Sequence, residues 1–562
     1  MILSLFSILL SFALSFALGS PLYTPKHHHK RQQAFSEGTS GIVVNNSLGQ
    51  AHGTLDSNTS VARFVIKYAT APRFGNPSVA TQWVGMTDPG AMPPVCPQAG
   101  VDSTQYSEDC LYAVIYAPVA TLTSAQTSKV PVFVWFHGGS SILGGASKPG
   151  LDGSNLAIAT NSIVIVVQYR LGVLGWLPPT SGPVPTGNLG LSDAITALRF
   201  VNNIIPFFGG QTPVTIGGQS SGGQMIRALL ASPSATSLFK AATLHADPMA
   251  YGFMKYNVYQ KLQTSFYSSV LSNCLNATNS LTCLDQVSVD AILSAQKTFL
   301  SNGFVQALDP SVGIGAPIRP HSGDGGLIQS TLTTTYPSTK KPLFITSNRD
   351  DGGQEIGLGF PFGFPTDEFD AALDSEVGVA RAAPLISSDF YEPSAPNLVQ
   401  SYVANGDVAR QALDRFGTDL VWRCPTWDLA RRLAGQGWTA YVSTFEAGAT
   451  YSDNESIDFC QEAGVVCHED EIYIIFGTTP SPTAAQTALT TQVQGRLKSF
   501  FANPTVAPNP AGYATWTPAT TANANAIQFG GSADGQLVPV QACDPSFWGT
   551  SGVPFEWQVY GE

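Results

Sequence analysis

Short and almost continuous apolar runs recur through the middle of the chain, and longer amphipathic stretches separate them. The clearest runs occupy residues 130–136, 163–167 and 342–346. A strand that is buried on both faces of a parallel sheet has this pattern, because neither face meets water. An amphipathic helix is predicted over 194–204. Alternating buried strands and helices predict an α/β fold with a large, mostly parallel central sheet and helices on both faces.

Another apolar run ends in a glycine-rich turn with a serine at its centre. The β-branched residues 214–216 lead into this turn, and a helical run follows at 224–230. Residues 218–222 fit G-x-S-x-G, the nucleophile elbow. Because a strand must reverse into a helix within a few residues, the serine is strained and its neighbours must be small. The pattern predicts that the hydroxyl of Ser220 is exposed at the edge of the sheet.

A second glycine-rich turn, His137-Gly138-Gly139-Ser140, follows the buried strand 130–136. Ligands of open α/β sheets bind at the carboxyl ends of the strands. Glycines there let backbone N–H groups point into a site without a Cβ in the way, as in the oxyanion loops of esterases. An ordinary glycine turn is the alternative, but the position 80 residues before the elbow favours the oxyanion loop.

Composition and charge narrow the classes of function. The 562 residues are 43% hydrophobic and only 12% charged, which allows a sizeable core and a surface rich in hydroxyls and glycine. The net charge is −12, from 27 basic and 39 acidic residues. An acidic chain without a basic cluster beyond its N-terminus does not suit a nucleic-acid partner. We expect residues 32–562 to form one domain.

The N-terminus predicts secretion. Residues 1–19 have the apolar core and small terminal residues of a signal peptide, with a membrane anchor as the less favoured alternative. Residues 20–31 are interpreted as a pro-segment that a processing protease removes after the pair Lys30-Arg31, although the histidines at 27–29 also suggest metal binding. No later run predicts a membrane span, and the C-terminus lacks the tail of a lipid anchor.

The cysteines and sequons agree with an extracellular location. The eight cysteines lack the spacing of a zinc site, and three close pairs and one distant pair suggest disulfides, although sequence cannot prove the connectivity. The suggested pairs are Cys96–Cys110, Cys274–Cys283, Cys460–Cys467 and Cys424–Cys543. Four N-x-[ST] sequons predict surface glycans, and they begin at Asn45, Asn58, Asn276 and Asn454.

Four sequence blocks together resemble the type-B carboxylesterase/lipase family, the branch of the α/β-hydrolases that includes cholinesterases and fungal lipases. The blocks are SEDCL at 107–111, FVWFHGG at 133–139, YRLGVLG at 169–175 and the stretch 187–223. The resemblance extends over roughly residues 40–560. It implies an α/β-hydrolase fold and a secreted carboxylesterase of the fungal type.

The family order of catalytic residues selects the partners of Ser220. This order is serine, then an acid after a buried strand, then histidine. Only His468 follows the strand 342–346, and the cysteine pair beside it could clamp its loop. The family commonly has Asp-Glu-Gly at the acid turn, where this chain has Asp350-Asp351-Gly352, so the resemblance implies Asp351. Asp350 and Glu355 remain rivals.

The resemblance also implies the mechanism. His468 removes the proton of Ser220, Asp351 holds the imidazole, and the backbone N–H groups of Gly139, Ser140 and Ser221 stabilise the oxyanion. Neither a metal nor an organic cofactor is expected.

Three further side chains bear on the site. Gln219 precedes the nucleophile where cholinesterase-like members usually have Glu, so a cationic choline substrate is not predicted. His245 either approaches the site or is a buried histidine with its hydrogen bonds satisfied, and the second interpretation is preferred. Arg73 and Glu108 are expected to form the structural ion pair of the family.

The leading prediction is therefore a secreted serine esterase that hydrolyses a small-molecule ester. A lipase that acts on acylglycerols is the alternative. Family lipases cover the site with a flap inside the first disulfide loop, and the 15 residues from Cys96 to Cys110 leave little material for one. A non-catalytic adhesion or binding protein is disfavoured, because the complete triad is present. The natural ester and the oligomeric state are not predicted.

Overall fold

A computed structural model describes residues 41–560, apart from short gaps. The gaps are 47, 57, 83–89, 126–128, 181, 185, 271–273, 275–279, 302–316, 364, 389, 394–406 and 540–542. The predicted signal peptide, the predicted pro-segment and Asn276 therefore lie outside the described residues.

Fifteen strands are described. They are β1 Ile42–Asn46, β2 Gly49–Asp56, β3 Val61–Lys67, β4 Ala69–Thr70, β5 Ser78–Val79, β6 Tyr112–Pro118, β7 Val132–Phe136, β8 Ile163–Val167, β9 Val214–Gln219, β10 Phe239–His245, β11 Met254–Lys255, β12 His321–Ser322, β13 Leu343–Asn348, β14 Ala440–Phe445 and β15 Ile527–Phe529.

The α-helices of the described residues surround this set of strands. They are α1 Val119–Thr123, α2 Ser154–Thr160, α3 Gly172–Trp176, α4 Leu189–Ile204, α5 Ser221–Leu230, α6 Tyr256–Val270, α7 Ser280–Gln286, α8 Val289–Ser301, α9 Gly353–Gly359, α10 Phe369–Val377, α11 Val379–Ile386, α12 Val408–Thr418, α13 Cys424–Gly435, α14 Ile472–Phe476, α15 Ala484–Ala502 and α16 Glu556–Tyr560.

Eleven of the strands form one sheet, in the order β1-β2-β3-β6-β8-β7-β9-β10-β13-β14-β15. Neighbouring strands from β8 to β15 run parallel, whereas the pairs from β1 to β8 are antiparallel. The predicted α/β-hydrolase architecture, a large and mostly parallel sheet surrounded by helices, is confirmed.

Strand β7 shows why the apolar runs form the centre of the sheet. All five of its residues are buried. Val132, Val134 and Phe136 pack into the hydrophobic cluster on one face, and Phe133 and Trp135 pack into the cluster on the other. Because side chains alternate between the two faces of a strand, a run buried on both faces must be apolar throughout.

The carboxyl ends of the central parallel strands carry the residues that the sequence selected. Ser220 follows β9, the His-Gly-Gly turn follows β7, and the Asp350-Asp351 turn follows β13. These three strands belong to the parallel part of the sheet, so their ends share one edge.

The structure contains the four disulfides suggested by the cysteine spacing. They are Cys96–Cys110, Cys274–Cys283, Cys424–Cys543 and Cys460–Cys467. Cys424–Cys543 joins positions 119 residues apart and attaches the C-terminal segment to α13. In the described part of the chain, none of the helices is both long enough and apolar enough to cross a membrane.

The sequon at Asn454 is an exception among the predicted glycan sites. Asn45 and Asn58 are exposed, whereas Asn454 is fully buried. The Nδ2 of Asn454 donates to the carbonyl oxygen of His468 at 2.7 Å and to Oδ1 of Asp470 at 2.9 Å. A glycan on this nitrogen would break both hydrogen bonds and the packing around them. The prediction of a glycan at Asn454 is therefore wrong.

Candidate active site

The turn at Ser220 has the geometry of a nucleophile elbow. Strand β9 ends at Gln219 and helix α5 begins at Ser221, so Ser220 alone connects them. Its φ of 56° and ψ of −127° lie in a region that residues other than glycine rarely adopt. The N–H of Ser220 donates to the carbonyl oxygen of His245 at 2.9 Å, which holds the turn against the end of β10.

Two glycines make the turn possible because the backbone passes very close to β7. A Cβ at Gly222 would lie 2.1 Å from the carbonyl oxygen of Phe136. A Cβ at Gly218 would lie 2.5 Å from the carbonyl group of Gly222 and 2.8 Å from the same Phe136 oxygen. All three distances are far below van der Waals contact, so only glycine fits at these positions.

The glycine turn after β7 lies beside this elbow. Gly139 has a φ of 113°, and a Cβ there would lie 2.2 Å from the carbonyl oxygen of Leu143. The N–H of Ser141 donates to Oγ of Ser221 at 3.0 Å and joins the two turns. Within the described residues, the N–H groups of Gly139, Ser140 and Ser221 donate to no acceptor. These three groups are therefore available to bind an oxygen atom of a ligand.

His468 and Asp351 form a buried pair. The Nδ1 of His468 lies 3.0 Å from Oδ1 of Asp351, and the other carboxylate oxygen accepts from the N–H of Asn348 at 2.7 Å. The rival Asp350 accepts instead from the N–H of Val466 at 2.7 Å and from the Arg349 guanidinium. Glu355, the other rival, lies on helix α9. The structure therefore pairs His468 with Asp351.

The second nitrogen of His468 faces the elbow. Its Nε2 lies 3.2 Å from the side-chain amide nitrogen of Gln219, the residue before Ser220. Among the described residues, no hydrogen bond joins Nε2 to Oγ of Ser220. Trp422, in a π-helical turn at Asp419–Arg423, packs on the imidazole with 5.3 Å between ring centroids. Gln219 and Trp422 thus hold the imidazole beside the residue that precedes the serine.

Three acids determine the charge state of His468. Burial by itself lowers the pKa of His468, but the hydrogen bond and the charge of Asp351, followed by the charges of Glu471 and Glu469, raise it to about 9. Glu471 is fully buried and accepts from Nδ2 of Asn348 at 2.5 Å. Burial raises the pKa of Glu471 to about 7, so this side chain is ionised in the range in which His468 titrates.

The other candidates lie away from this pair. His245 is fully buried and contacts the hydroxyls of Thr346 at 2.9 Å and Thr243 at 3.0 Å, as expected of a satisfied core histidine. His137 stacks on Tyr169 with 4.6 Å between ring centroids. Arg73 and Glu108 form a bidentate ion pair with distances of 2.7 and 2.6 Å, as expected of a structural pair.

A possible metal cluster in the described residues does not qualify as a metal site. Asp419, Cys424 and Cys543 place ligand atoms within 4.8 Å of one another. Both sulfur atoms, however, are already bonded to each other as a disulfide, so they cannot act as thiolate ligands.

Several residues that hold His468 are not evident from the sequence. Asn454 donates to the carbonyl oxygen of His468, whereas the local sequence pattern indicates only a sequon. Glu471 and Trp422 act on the imidazole itself. The acidic run at 469–471, directly after the histidine, was the one signal that could have suggested Glu471. Trp422 and Asn454 left no such signal, because their contacts with His468 depend on the fold.

An elbow serine, a loop of backbone donors and a His–Asp pair at the carboxyl edge of a parallel sheet define the α/β-hydrolase class. The carboxylesterase family model matches residues 40–545. Carboxylesterase 1E of Mus musculus is 30% identical over 72% of this chain and 73% of its own length. Liver carboxylesterase of Sus scrofa is 28% identical over 77% of this chain and 80% of its own length.

A solved structure, PNB esterase, has the same fold, with a TM-score of 0.65 and 24% identity over 89% of this chain and 97% of its own. The protein belongs to the carboxylesterase family and is a carboxylic ester hydrolase.

The charges around His468 predict the pH dependence of hydrolysis. Only the neutral imidazole can accept a proton, so kcat/KM should rise with pH as His468 loses its charge. Glu471→Gln removes a negative charge that raises the pKa of His468. The rising limb of the kcat/KM profile for p-nitrophenyl butyrate should then move to lower pH, by on the order of one unit.

Glu446→Gln is the matched control, because Glu446 is a largely buried acid that lies 3.8 Å from Arg349 and does not contact the imidazole. The control should leave the limb in place. If the rising limb of the kcat/KM profile stays in place in Glu471→Gln, or moves to higher pH, the electrostatic account of His468 is contradicted.

Proposed function

We propose that this protein is a secreted serine carboxylic-ester hydrolase that acts through an acyl-enzyme on Ser220. One observation carries the proposal. The His468 imidazole, bound by Asp351 at 3.0 Å through Nδ1, turns its other nitrogen toward the elbow that holds Ser220. Family membership supports the reaction class, and the geometry supports the roles of the individual residues.

In the proposed mechanism, Nε2 of His468 exchanges its contact with Gln219 for one with Oγ of Ser220 and takes the hydroxyl proton. Catalytic hydrogen bonds are often absent before substrate binds, so the resting contact with Gln219 is compatible with this step. Oγ attacks the ester carbonyl carbon, and the carboxylate of Asp351 stabilises the imidazolium that forms.

The carbonyl oxygen that becomes negative is bound by the N–H groups of Gly139, Ser140 and Ser221. Such a donor typically contributes about 2.7–4 kcal/mol to the transition state. His468 then gives its proton to the leaving alcohol. Water, activated by the same imidazole, hydrolyses the acyl-enzyme and restores Ser220.

Secretion is part of the proposal. Four disulfides in one chain suit an oxidising compartment, since cytosolic thiols are kept reduced. Other features agree with secretion. They are the signal-peptide pattern at 1–19, the dibasic pair Lys30-Arg31 and the exposed sequons at Asn45 and Asn58.

We further propose that soluble esters are preferred to aggregated acylglycerols. The loop between Cys96 and Cys110 is described completely, and it contains turns and Tyr106, which forms a β-bridge with Val95 just before the loop, but no helix. It therefore offers no amphipathic segment that could cover and uncover the site at a lipid surface, as a lipase flap would.

Replacing the nucleophile tests the proposed function. Ser220→Ala should lower kcat for p-nitrophenyl butyrate on the order of 10⁵-fold or more, because the acyl-enzyme can no longer form. Ser221→Ala is the matched control, since it keeps the backbone N–H and loses only the side-chain hydrogen bonds to Ser141 and Tyr169. The control should cost about tenfold or less. Comparable activity of Ser220→Ala and wild type would refute the proposal.

The preference for soluble esters predicts the form of the rate curve. Initial rates on p-nitrophenyl esters from acetate to palmitate should follow ordinary saturation for the soluble members. Rates on tributyrin should not jump as its concentration passes the solubility limit, because the 96–110 loop has no flap to displace. A sharp rise at that limit, measured in a pH-stat with constant stirring, would instead support the lipase alternative.

A further inference from the structure

The residue after the proposed catalytic histidine has an unusual backbone. Glu469 has a φ of 77°, in the left-handed region that favours glycine. Its side chain is nevertheless long, charged and only 7% exposed. Left-handed backbone and a buried carboxylate both cost free energy, and such a combination persists only where its surroundings compensate for it.

Lys148 supplies that compensation. Its Nζ lies 2.7 Å from Oε1 of Glu469 and 3.0 Å from Oδ2 of Asp453. The ammonium group also lies 5.1 Å from the centre of the Tyr451 ring. Only 13% of the Lys148 side chain is exposed, so the ion pair with Glu469 is largely removed from water on both sides.

Lys148 comes from the segment that follows the proposed oxyanion loop. Gly139 and Ser140 precede it by only eight or nine residues, and the segment continues into contacts with the histidine side of the site. The hydroxyl of Tyr451 donates to the carbonyl oxygen of Pro149. The hydroxyl of Thr478 donates to the carbonyl oxygen of Gly150 at 2.9 Å. The ion pair and these two hydrogen bonds therefore join the 148–150 segment to the chain on either side of His468.

Other hydrogen bonds also hold the segment around His468. Its carbonyl oxygen accepts from Asn454, and Asp470 accepts from the N–H groups of Cys467 at 2.8 Å and Tyr451 at 2.7 Å. Glu469 and Lys148 add a contact between this segment and the one that follows the oxyanion loop. The backbone around His468 is therefore tied both to the 451–454 segment and, through Lys148, to the segment that follows Gly139 and Ser140.

We propose that Lys148 is a positioning residue, which holds His468 in register with the oxyanion loop by pairing with the strained Glu469. The inference rests on the proposed function, because it assigns a role in that same reaction. If Lys148 acts through Glu469, the effect of replacing Lys148 must depend on whether Glu469 is present. Glycine at position 469 removes the carboxylate and adopts the left-handed backbone without strain. In that background, loss of Lys148 should have little effect on kcat.

The consequence of removing Lys148 alone follows from the charges around His468. Asp351, Glu469 and Glu471 face the imidazole, and Lys148 is the cation that pairs with one of them. Without Lys148, the buried carboxylate of Glu469 loses its hydrogen-bonded cation and faces the like charge of Asp453, with the His468 imidazole as its remaining cationic neighbour. A buried charge that has lost its partner is strongly unfavourable, so the 468–469 turn should shift.

The test uses the full-length protein and four variants, which are Lys148→Met, Glu469→Gly, the double variant Lys148→Met/Glu469→Gly and the control Arg381→Met. Arg381 pairs with Glu556 at 2.8 Å with similar burial, between α11 and α16. For each variant, kcat, KM and the pH profile of kcat/KM are measured with p-nitrophenyl butyrate. Thermal unfolding and circular dichroism establish that the variant is folded at the assay temperature.

We expect Lys148→Met to lower kcat by tenfold to about a hundredfold with little change in KM, the loss typical of a small misplacement of a catalytic group. The rising limb of the pH profile should move to higher pH, because the carboxylate of Glu469 is no longer neutralised. Glu469→Gly should lose less kcat than Lys148→Met, because it removes the carboxylate and the strain together, and its limb should move to lower pH because one charge that raises the pKa of His468 is gone. The double variant should have a higher kcat than Lys148→Met. Arg381→Met should leave kcat and the limb unchanged.

The proposal is overturned if Lys148→Met keeps its kcat within twofold of wild type, if the double variant is no better than the single one, or if Arg381→Met has the same effect. If Lys148→Met does not fold, Lys148→Arg replaces it. This variant keeps the charge, so kcat should fall threefold or more while the limb stays in place, and an unchanged kcat would again overturn the proposal. Failure of the proposed function gives a different result from failure of the Lys148 proposal, because Ser220→Ala would then remain active.

Discussion

The site depends on one close approach of backbone to backbone, where the serine elbow passes over the end of β7. The carbonyl oxygen of Phe136 lies where a Cβ on Gly222 or Gly218 would be. This contact brings the strained serine and the donors after β7 to one place, and the hydrogen bond from Ser141 to Oγ of Ser221 fixes their separation. The nucleophile and the oxyanion donors thus share one support, the central parallel sheet, whose apolar core lies on both faces of β7.

The histidine requires a different kind of support. His468 lies in the long connection between β14 and α14, well beyond the end of the strand, and it reaches the elbow from a point more than two hundred residues along the chain. Its position is set by polar contacts, which include the bond to Asp351, the amide of Asn454 and the pairing of Lys148 with Glu469. The Cys460–Cys467 disulfide closes the loop directly before it. A buried network of this kind is costly unless every member is satisfied, which makes its members good targets for mutation.

The sequence predicted the sheet and the elbow because their signals are local. Apolar runs mark strands buried on both faces, and the pattern from Gly218 to Gly222 needs only adjacent residues. Asp351 and His468 required the family order as well, and the structure places them 3.0 Å apart. Boundaries were less precise, since α4 begins at Leu189 rather than at 194. Asn454, Lys148 and Trp422 could not be predicted, because their roles arise from long-range packing, and the local sequon at Asn454 even suggested the wrong role.

The central claim is that Ser220 carries the acyl group. The most direct measurement is covalent trapping with a fluorophosphonate, followed by digestion and fragmentation of the labelled peptide by mass spectrometry. The account predicts one adduct per chain, on Ser220 and not on the adjacent Ser221, with a labelling rate that rises with pH along the same limb as kcat/KM. An adduct on another residue, or full hydrolytic activity in a chain that the reagent does not label, would contradict it.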